Sequence, residues 1–273
     1  MPSEKRQRQR ERHQQKIAVE QTRSRRNRRI RNLIGAVIVA GVVIGVIAIF
    51  FNGSPKKPAA TSSTTTSSTS TTSSTTTTVP VAVAPVCPPA GGSKVRVIRF
   101  TKAPPTCISP TGVYDATFQT NIGSFTVRMH AASSLAGVND IVFLARYHFY
   151  DGTIFHRVIP DFVVQGGDPT GTGAGGPGYA FTGNTPAASC TAKKDCYATG
   201  DVALANSGSP SSDGSQFFVI LPGGAGQLSD LYTTVGHVTS GMNVVDKIGA
   251  DGQASGTPKV VHTLKSVTIT QVS

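Results

Sequence analysis

The chain has 273 residues and a formal net charge of +12, but the charge is unevenly placed. Residues 1–32 carry twelve Lys/Arg against Glu4, Glu11 and Glu20, so most of the excess belongs to the tail. That placement argues against a nucleic-acid binder over its whole length, and four Cys are too few for a disulfide-built mini-protein.

Taken in chain order, residues 1–32 are basic, Gln-rich and almost free of large apolar side chains, a composition that cannot pack a core. The tail lacks the interleaved aromatics that stack on bases, so no nucleic-acid partner is expected; it reads as a topology signal drawn to anionic lipid. Leu33 to Phe51 is an uncharged apolar run of nineteen residues. At helical rise it spans roughly 28 Å, close to the hydrocarbon thickness of a bilayer. The basic stretch before it is too long for a signal peptide, which predicts an uncleaved transmembrane helix over 33–51 with membrane lipid as its partner. Arg23 to Arg31 flank one side and only Lys56 and Lys57 the other, which predicts a cytoplasmic N-terminus and an extracytoplasmic remainder at the cell membrane. Residues 52–93 read as a disordered linker: Thr61 to Thr78 is unbroken Ser/Thr, and Pro80, Pro85, Pro88 and Pro89 follow.

Residues 94–273 read as the folded domain. Val113–Thr120 and Ser124–His130 alternate apolar and polar residues around Asn121-Ile122-Gly123, a hairpin pattern. Val138–Tyr147 places Val138, Ile141, Val142, Leu144 and Ala145 on one helical face. Phe217–Leu221 and Thr233–Val238 read as strands, Met242–Ile248 as a second helix and Val260–Thr270 as the last strand. Many short strands with two short helices predict a mainly β barrel or sandwich capped by helices.

Two segments carry the functional signal. One is residues 149–169, FYDGTIFHRVIPDFVVQGGDP; the other is Leu204-Ala205-Asn206-Ser207-Gly208 followed by Gly214-Ser215-Gln216-Phe217-Phe218-Val219. In order and spacing, from about Tyr114 to the C-terminus, they resemble the cyclophilin-type peptidyl-prolyl cis-trans isomerases. The resemblance implies an eight-stranded antiparallel β-barrel capped by two helices, and isomerase activity on X-Pro peptide bonds. Rotation about a peptide bond meets a barrier of roughly 18–20 kcal/mol, because twisting destroys amide resonance. A catalyst of that rotation must favour the twisted amide over the planar one, and it needs no metal or cofactor. In the twisted amide the prolyl nitrogen regains a lone pair, which a fixed cationic donor can stabilise.

Residue by residue, the resemblance places the catalytic arginine at Arg157 and the glutamine that positions it and bonds the substrate at Gln165. It places the proline pocket at Phe162, Val163, Phe218 and Leu228. Ala205 and Asn206 match the pair whose backbone holds an extended peptide, and Gln216 another groove residue. The chain departs from many members in having no Trp: Gln227 stands at that place, Tyr232 where a histidine is common, Val163 where a methionine is common. The loop Asn206–Gln216 is one residue longer than in common members. Six His are scattered without a close ligand pair and no C-x₂-C occurs, so no metal is expected. Gly166–Gly178 is Gly-rich without a following Lys-Ser/Thr pair, a surface loop rather than a phosphate-binding loop.

Cys87, Cys107, Cys190 and Cys196 all fall on the expected outer side, where disulfides persist. Three pairings are open, and local order favours Cys87–Cys107 and Cys190–Cys196. The resulting expectation is a membrane-anchored bacterial cyclophilin on a flexible stalk. It acts on proline-containing polypeptides that fold outside the membrane. A tethered proline-peptide-binding chaperone or scaffold with little turnover is the alternative, and the oligomeric state is open.

Overall fold

The computed structural model describes residues 81–184, 190 and 196–273. The transmembrane helix expected over 33–51, the basic tail and most of the expected linker lie outside the described residues. Among the described residues no helix is long and apolar enough to cross a membrane.

The described chain is mainly β. Nine strands form one curled antiparallel sheet: β1 (Val113–Thr120), β2 (Gly123–His130), β3 (Thr153–Ile154), β4 (Arg157–Ile159), β5 (Val163–Gly166), β6 (Asp201–Leu204), β7 (Phe217–Ile220), β8 (Thr234–Ser240) and β9 (Thr263–Gln271). Their order is β3-β9-β1-β2-β8-β6-β7-β5-β4. Two helices accompany it, α1 (Leu135–Arg146) and α2 (Met242–Ala250). The expectation of an eight-stranded closed barrel is corrected on both counts. Phe155 and His156 divide residues 153–159 into β3, which pairs with β9, and β4, which pairs with β5. Phe155 and His156 form no turn, and β3 and β4 stand at opposite ends of the strand order without pairing with each other, so the sheet is a half-barrel.

The hairpin stands where the alternation placed it, with Val113 opposite His130 and Thr120 opposite Gly123. Its inward row is Tyr114, Ala116 and Phe118 from β1, with Phe125, Val127 and Met129 from β2, all buried. The rings of Phe118 and Phe125 stack at 4.8 Å between centroids.

Helix α1 is buried from Gly137 to Ala145, on more than the one face that its apolar periodicity marks. The cover is the N-terminal extension. Phe100, 1 % exposed, packs against Phe143 and Tyr147 at 4.9 and 5.2 Å between ring centroids. The Asn139 side chain accepts from Cys107 N (2.7 Å) and donates to Pro105 O (3.0 Å). Cys87 and Cys107 form a disulfide with Cα atoms 5.2 Å apart. Pro85 and Pro88 are buried, and Val83 pairs with Phe100 in a short parallel bridge. Residues 81–93, assigned by composition to the linker, thus pack as part of this unit.

One acid of α1 has no charged partner. Asp140 is buried, and the Tyr179 hydroxyl donates to its Oδ1, while Oδ2 has no partner among the described residues. Burial pushes its pKa up to about 8; the Tyr179 bond opposes this, and nearby Asp213 adds to it. A carboxyl whose folded value lies above its unfolded value of about 3.9 stabilises most below that value. It loses that contribution as pH rises toward 8. We predict that Asp140→Asn, which keeps the oxygen that Tyr179 needs, raises thermal stability at pH 8 by at least about 1 kcal/mol. It should also flatten the decline between pH 4 and 8, read by melting curves across pH.

Candidate active site

Strand register assembles the site. Arg157 on β4 lies opposite Gln165 on β5, Gln165 opposite Phe218 on β7, and Phe218 opposite Ala203 on β6. Residues directly opposite share a face, so these four side chains form one row. The neighbouring row, Val158, Val164, Val219 and Val202, points the other way into the main core. The turn between β4 and β5 supports this register. Pro160 presets its first corner, Asp161 takes φ +57°, and Phe162 N donates to Ile159 O at 3.2 Å.

On the outer face, Val163, Ala203, Phe218, Ile220, Leu228 and Tyr197 make a second apolar cluster separate from the main core. Phe162, Ala205 and Tyr232 are half-buried against it, and Cys196 packs there too. The rings of Phe218 and Tyr232 meet edge to face at 5.2 Å. The Arg157 guanidinium carbon stands 5.6 Å from the centre of the Phe162 ring. A small apolar group resting on this cluster would therefore lie beside a cation.

A polar line runs from that cation. Arg157 Nη1 donates to Gln165 Oε1 (3.1 Å), and Gln165 Nε2 donates to Gln216 Oε1 (3.0 Å). Among the described residues no carboxylate lies within ion-pair reach of Arg157. Its charge is held in place without being neutralised, which a donor to an electron-rich transition state requires. Gln165, Gln216, Ala205 and Asn206 also line a groove of about 380 Å³ that extends over Gly173–Pro177. Ala205 N donates to Gln216 O at 2.8 Å. The Asn206 side chain is fully engaged: Nδ2 donates to Asp213 Oδ1 (3.1 Å) and Leu231 O (2.9 Å), and Oδ1 accepts from Gly208 N (3.1 Å). Its backbone N–H and C=O make no bond among the described residues, and Asn206 itself lines the groove.

The structure brings Arg157, Phe162, Val163, Gln165, Ala205, Asn206, Gln216, Phe218, Leu228 and Tyr232 to one face. Gln227 is not over the cluster as a tryptophan could be. Its Nε2 donates to Gly223 O (3.1 Å) and Asp161 O (3.3 Å), closing the loop before Leu228. Cys190 and Cys196 are joined, with Cα atoms 5.1 Å apart, next to the cluster. Cys87 and Cys107 lie on the extension against α1, away from the site residues.

Sequence reading missed two supports. The Tyr197 hydroxyl donates to Ser229 O and Tyr232 O (3.0 and 3.1 Å) and accepts from Tyr232 N (3.0 Å), which fixes the segment carrying Tyr232. Burial raises its pKa to about 12, so it stays a donor. Asp213, fully buried, accepts from Thr233 Oγ1 (2.6 Å) as well as from Asn206. Only the clustering of hydroxyl and amide residues around Asp213 signals this in the sequence, and it names no partner.

The comparisons with known proteins agree with this geometry. Residues 116–273 match the family model of the cyclophilin type peptidyl-prolyl cis-trans isomerase. The chain belongs to the cyclophilin-type peptidyl-prolyl cis-trans isomerases. It is 35% identical over 151 residues to peptidyl-prolyl cis-trans isomerase CYP18-2 of Arabidopsis thaliana, covering 55% of this chain and 89% of that one. Peptidyl-prolyl cis-trans isomerase ppi1 of Schizosaccharomyces pombe is 38% identical over 136 residues, covering 48% and 82%. The crystal structure of a Cryptosporidium parvum cyclophilin type isomerase superimposes with a TM-score of 0.52 at 27% identity, over 58% of this chain and 98% of that one. The same protein solved in the presence of the dipeptide Ala-Pro gives 0.50 at 28% identity, over 57% and 98%. The cyclophilin domain is thus an enzyme domain, and the extension before residue 116 lies outside the family match.

Removing the Asp213 carboxylate strands the buried Thr233 Oγ1 and one N–H of the half-buried Asn206 amide, whose other N–H keeps Leu231 O. We predict that Asp213→Ala costs about 1–3 kcal/mol of stability. At a temperature where the variant is folded, it should raise KM for an X-Pro peptide several-fold, measured by steady-state kinetics.

Proposed function

We propose that this cyclophilin domain isomerises X-Pro bonds of polypeptides that fold outside the membrane. In this reading the outer apolar cluster of Phe162, Val163, Phe218 and Leu228 takes the proline ring. The backbone of Asn206, which has no partner among the described residues, holds the flanking peptide extended with Ala205 and Gln216. Arg157 then donates toward the prolyl nitrogen as the amide twists. The observation that carries the reading is the Arg157 guanidinium, held by Gln165 at 3.1 Å, set beside the apolar cluster and unpaired with any carboxylate among the described residues. Because a planar amide nitrogen offers no lone pair, such a donor gains most in the twisted state, and that selectivity is what lowers a barrier. The dipeptide Ala-Pro used with the Cryptosporidium relative is consistent with a proline-containing substrate here.

Two features support this choice of compartment. All described cysteines are in disulfides, a state that persists in oxidising surroundings. The uncharged run at 33–51, with its basic side N-terminal, suits a single-pass anchor with a cytoplasmic tail. The domain would then work on a Ser/Thr-rich tether at the outer face of the cell membrane, as a bacterial-type anchored cyclophilin.

The test is steady-state isomerisation of an X-Pro peptide by the full chain and by Arg157→Ala. Loss of one preorganised donor predicts a fall in kcat of about 10²–10³ with the peptide still bound. A wild type that binds the peptide without accelerating its isomerisation would instead make the protein a tethered binding module.

A further inference from the structure

The Gly-rich loop after β5 is wound around one carboxylate. Asp168 is fully buried. Its Oδ1 accepts from Thr170 N (2.7 Å) and Thr170 Oγ1 (2.8 Å); its Oδ2 accepts from Gly173 N (2.6 Å), Gly175 N (3.1 Å) and, at 3.4 Å, Thr172 Oγ1. Burial acts to raise the pKa of this carboxyl, and the bonds from Thr170, Gly175 and Gly173 outweigh it, so the group stays ionised below the ordinary range. The winding needs glycine: Gly173 sits at φ +86°, and a side chain at Gly175 would run into the Asp168 carboxylate.

Of the three residues whose backbone N–H groups Asp168 gathers, Gly173 and Gly175 are also the two whose carbonyls hold Gln216. Gln216 Nε2 donates to Gly173 O (3.0 Å) and Gly175 O (2.9 Å). A side-chain amide has donors at one end and an acceptor at the other. With Nε2 turned to two carbonyls, Oε1 must face Gln165, and it accepts from Gln165 Nε2 at 3.0 Å. Gln165 is thereby fixed in the same sense, with its Oε1 toward Arg157 Nη1 at 3.1 Å. If Gln216 flipped, an N–H would face Gln165 Nε2; Gln165 would then have to flip and would turn its own N–H groups toward the guanidinium.

We propose that Asp168 is a positioning residue for Arg157: by drawing Gly173 and Gly175 together it sets the polarity of Gln216, and through Gln216 and Gln165 the placement of the guanidinium. This rests on reading Arg157 as the catalytic donor. A residue that merely shaped the loop would share the burial of Asp168, but its effect on turnover would not depend on Gln216.

The experiment is a double-mutant cycle in the full chain with Asp168→Asn, Gln216→Leu and their combination, reading kcat and KM on an X-Pro peptide. Asn keeps an acceptor for Thr170 and puts an N–H where Gly173 and Gly175 need an acceptor. The expected result is a fall in kcat of about 10- to 100-fold for Asp168→Asn with KM changed less than about threefold. The double variant should be no slower than the slower single one. Multiplying factors in the double variant, or a loss that only tracks the unfolded fraction, would overturn the proposal. Should Asp168→Asn not fold, Thr170→Val removes the side-chain donor and leaves the carboxylate; it should show a smaller fall in kcat that Gln216→Leu again cancels. Side-chain amide resonances separate this idea from the one beneath it. If Asp168→Asn shifts the Gln216 and Gln165 NH₂ signals together while Arg157→Ala leaves kcat intact, positioning stands and the catalytic reading of Arg157 fails. If those signals stay put, positioning fails whatever Arg157 does.

Discussion

Strands β5, β7 and β6 are buried on both faces, and the two-residue alternation of their side chains ties the core to the site. Phe217, Val219, Val164, Val202 and Leu204 fill the inside of the curled sheet, while Phe218, Ile220, Val163 and Ala203 form the outer cluster. A slip of one residue in any of these strands would turn its core side chains to the outer face and its outer ones into the core, breaking the packing of both. The register that the core demands is therefore the register that puts Arg157, Gln165 and Phe218 in one row. The row needs no separate device to bring its strands into line.

What the core cannot supply is the orientation of polar groups. Arg157 carries an uncompensated charge on a half-buried surface, and long flexible side chains there lose rotamer entropy when fixed. The structure meets this with hydrogen bonds anchored on backbone. Gln216 bonds to two loop carbonyls, Asn206 to Leu231 O and Gly208 N, and Tyr197 to Ser229 O and Tyr232 O. Two buried carboxylates, Asp168 and Asp213, organise the loops that offer these partners. Among the described residues neither is ion-paired; each is satisfied by N–H and O–H donors and so makes no claim on the Arg157 guanidinium.

The parts legible in the sequence were those with length or a motif. The β1–β2 hairpin spans eight residues a side, enough for alternation to show, and α1 and α2 have helical periodicity. Strands β3 to β6 run two to four residues, too short for any period, and the eight-strand expectation came from the family resemblance rather than from pattern. The covering of α1 by residues 81–107 left no periodic trace, because prolines and single aromatics such as Phe100 do the packing. The site residues were legible only through the two long motifs; alone, Phe162 or Leu228 would read as core. Tyr197, Asp213 and Asp168 were not legible as supports. Tyr197 meets its partners 32 and 35 residues away, and Asp168 reaches Arg157 only through a loop and two glutamines.

The central claim is that an X-Pro peptide binds on the outer face of β5, β7 and β6. The most direct test is a titration of the isotope-labelled full chain with an Ala-Pro-containing peptide, followed residue by residue by NMR. The account predicts that the largest shifts fall on Phe162, Ala205, Asn206, Phe218, Leu228 and Tyr232, with the inward row at Val158 and Val202 moving least. It is contradicted if the largest shifts fall instead around the separate cavity of about 400 Å³ lined by Arg128, His130 and His237, which shares no residue with the site.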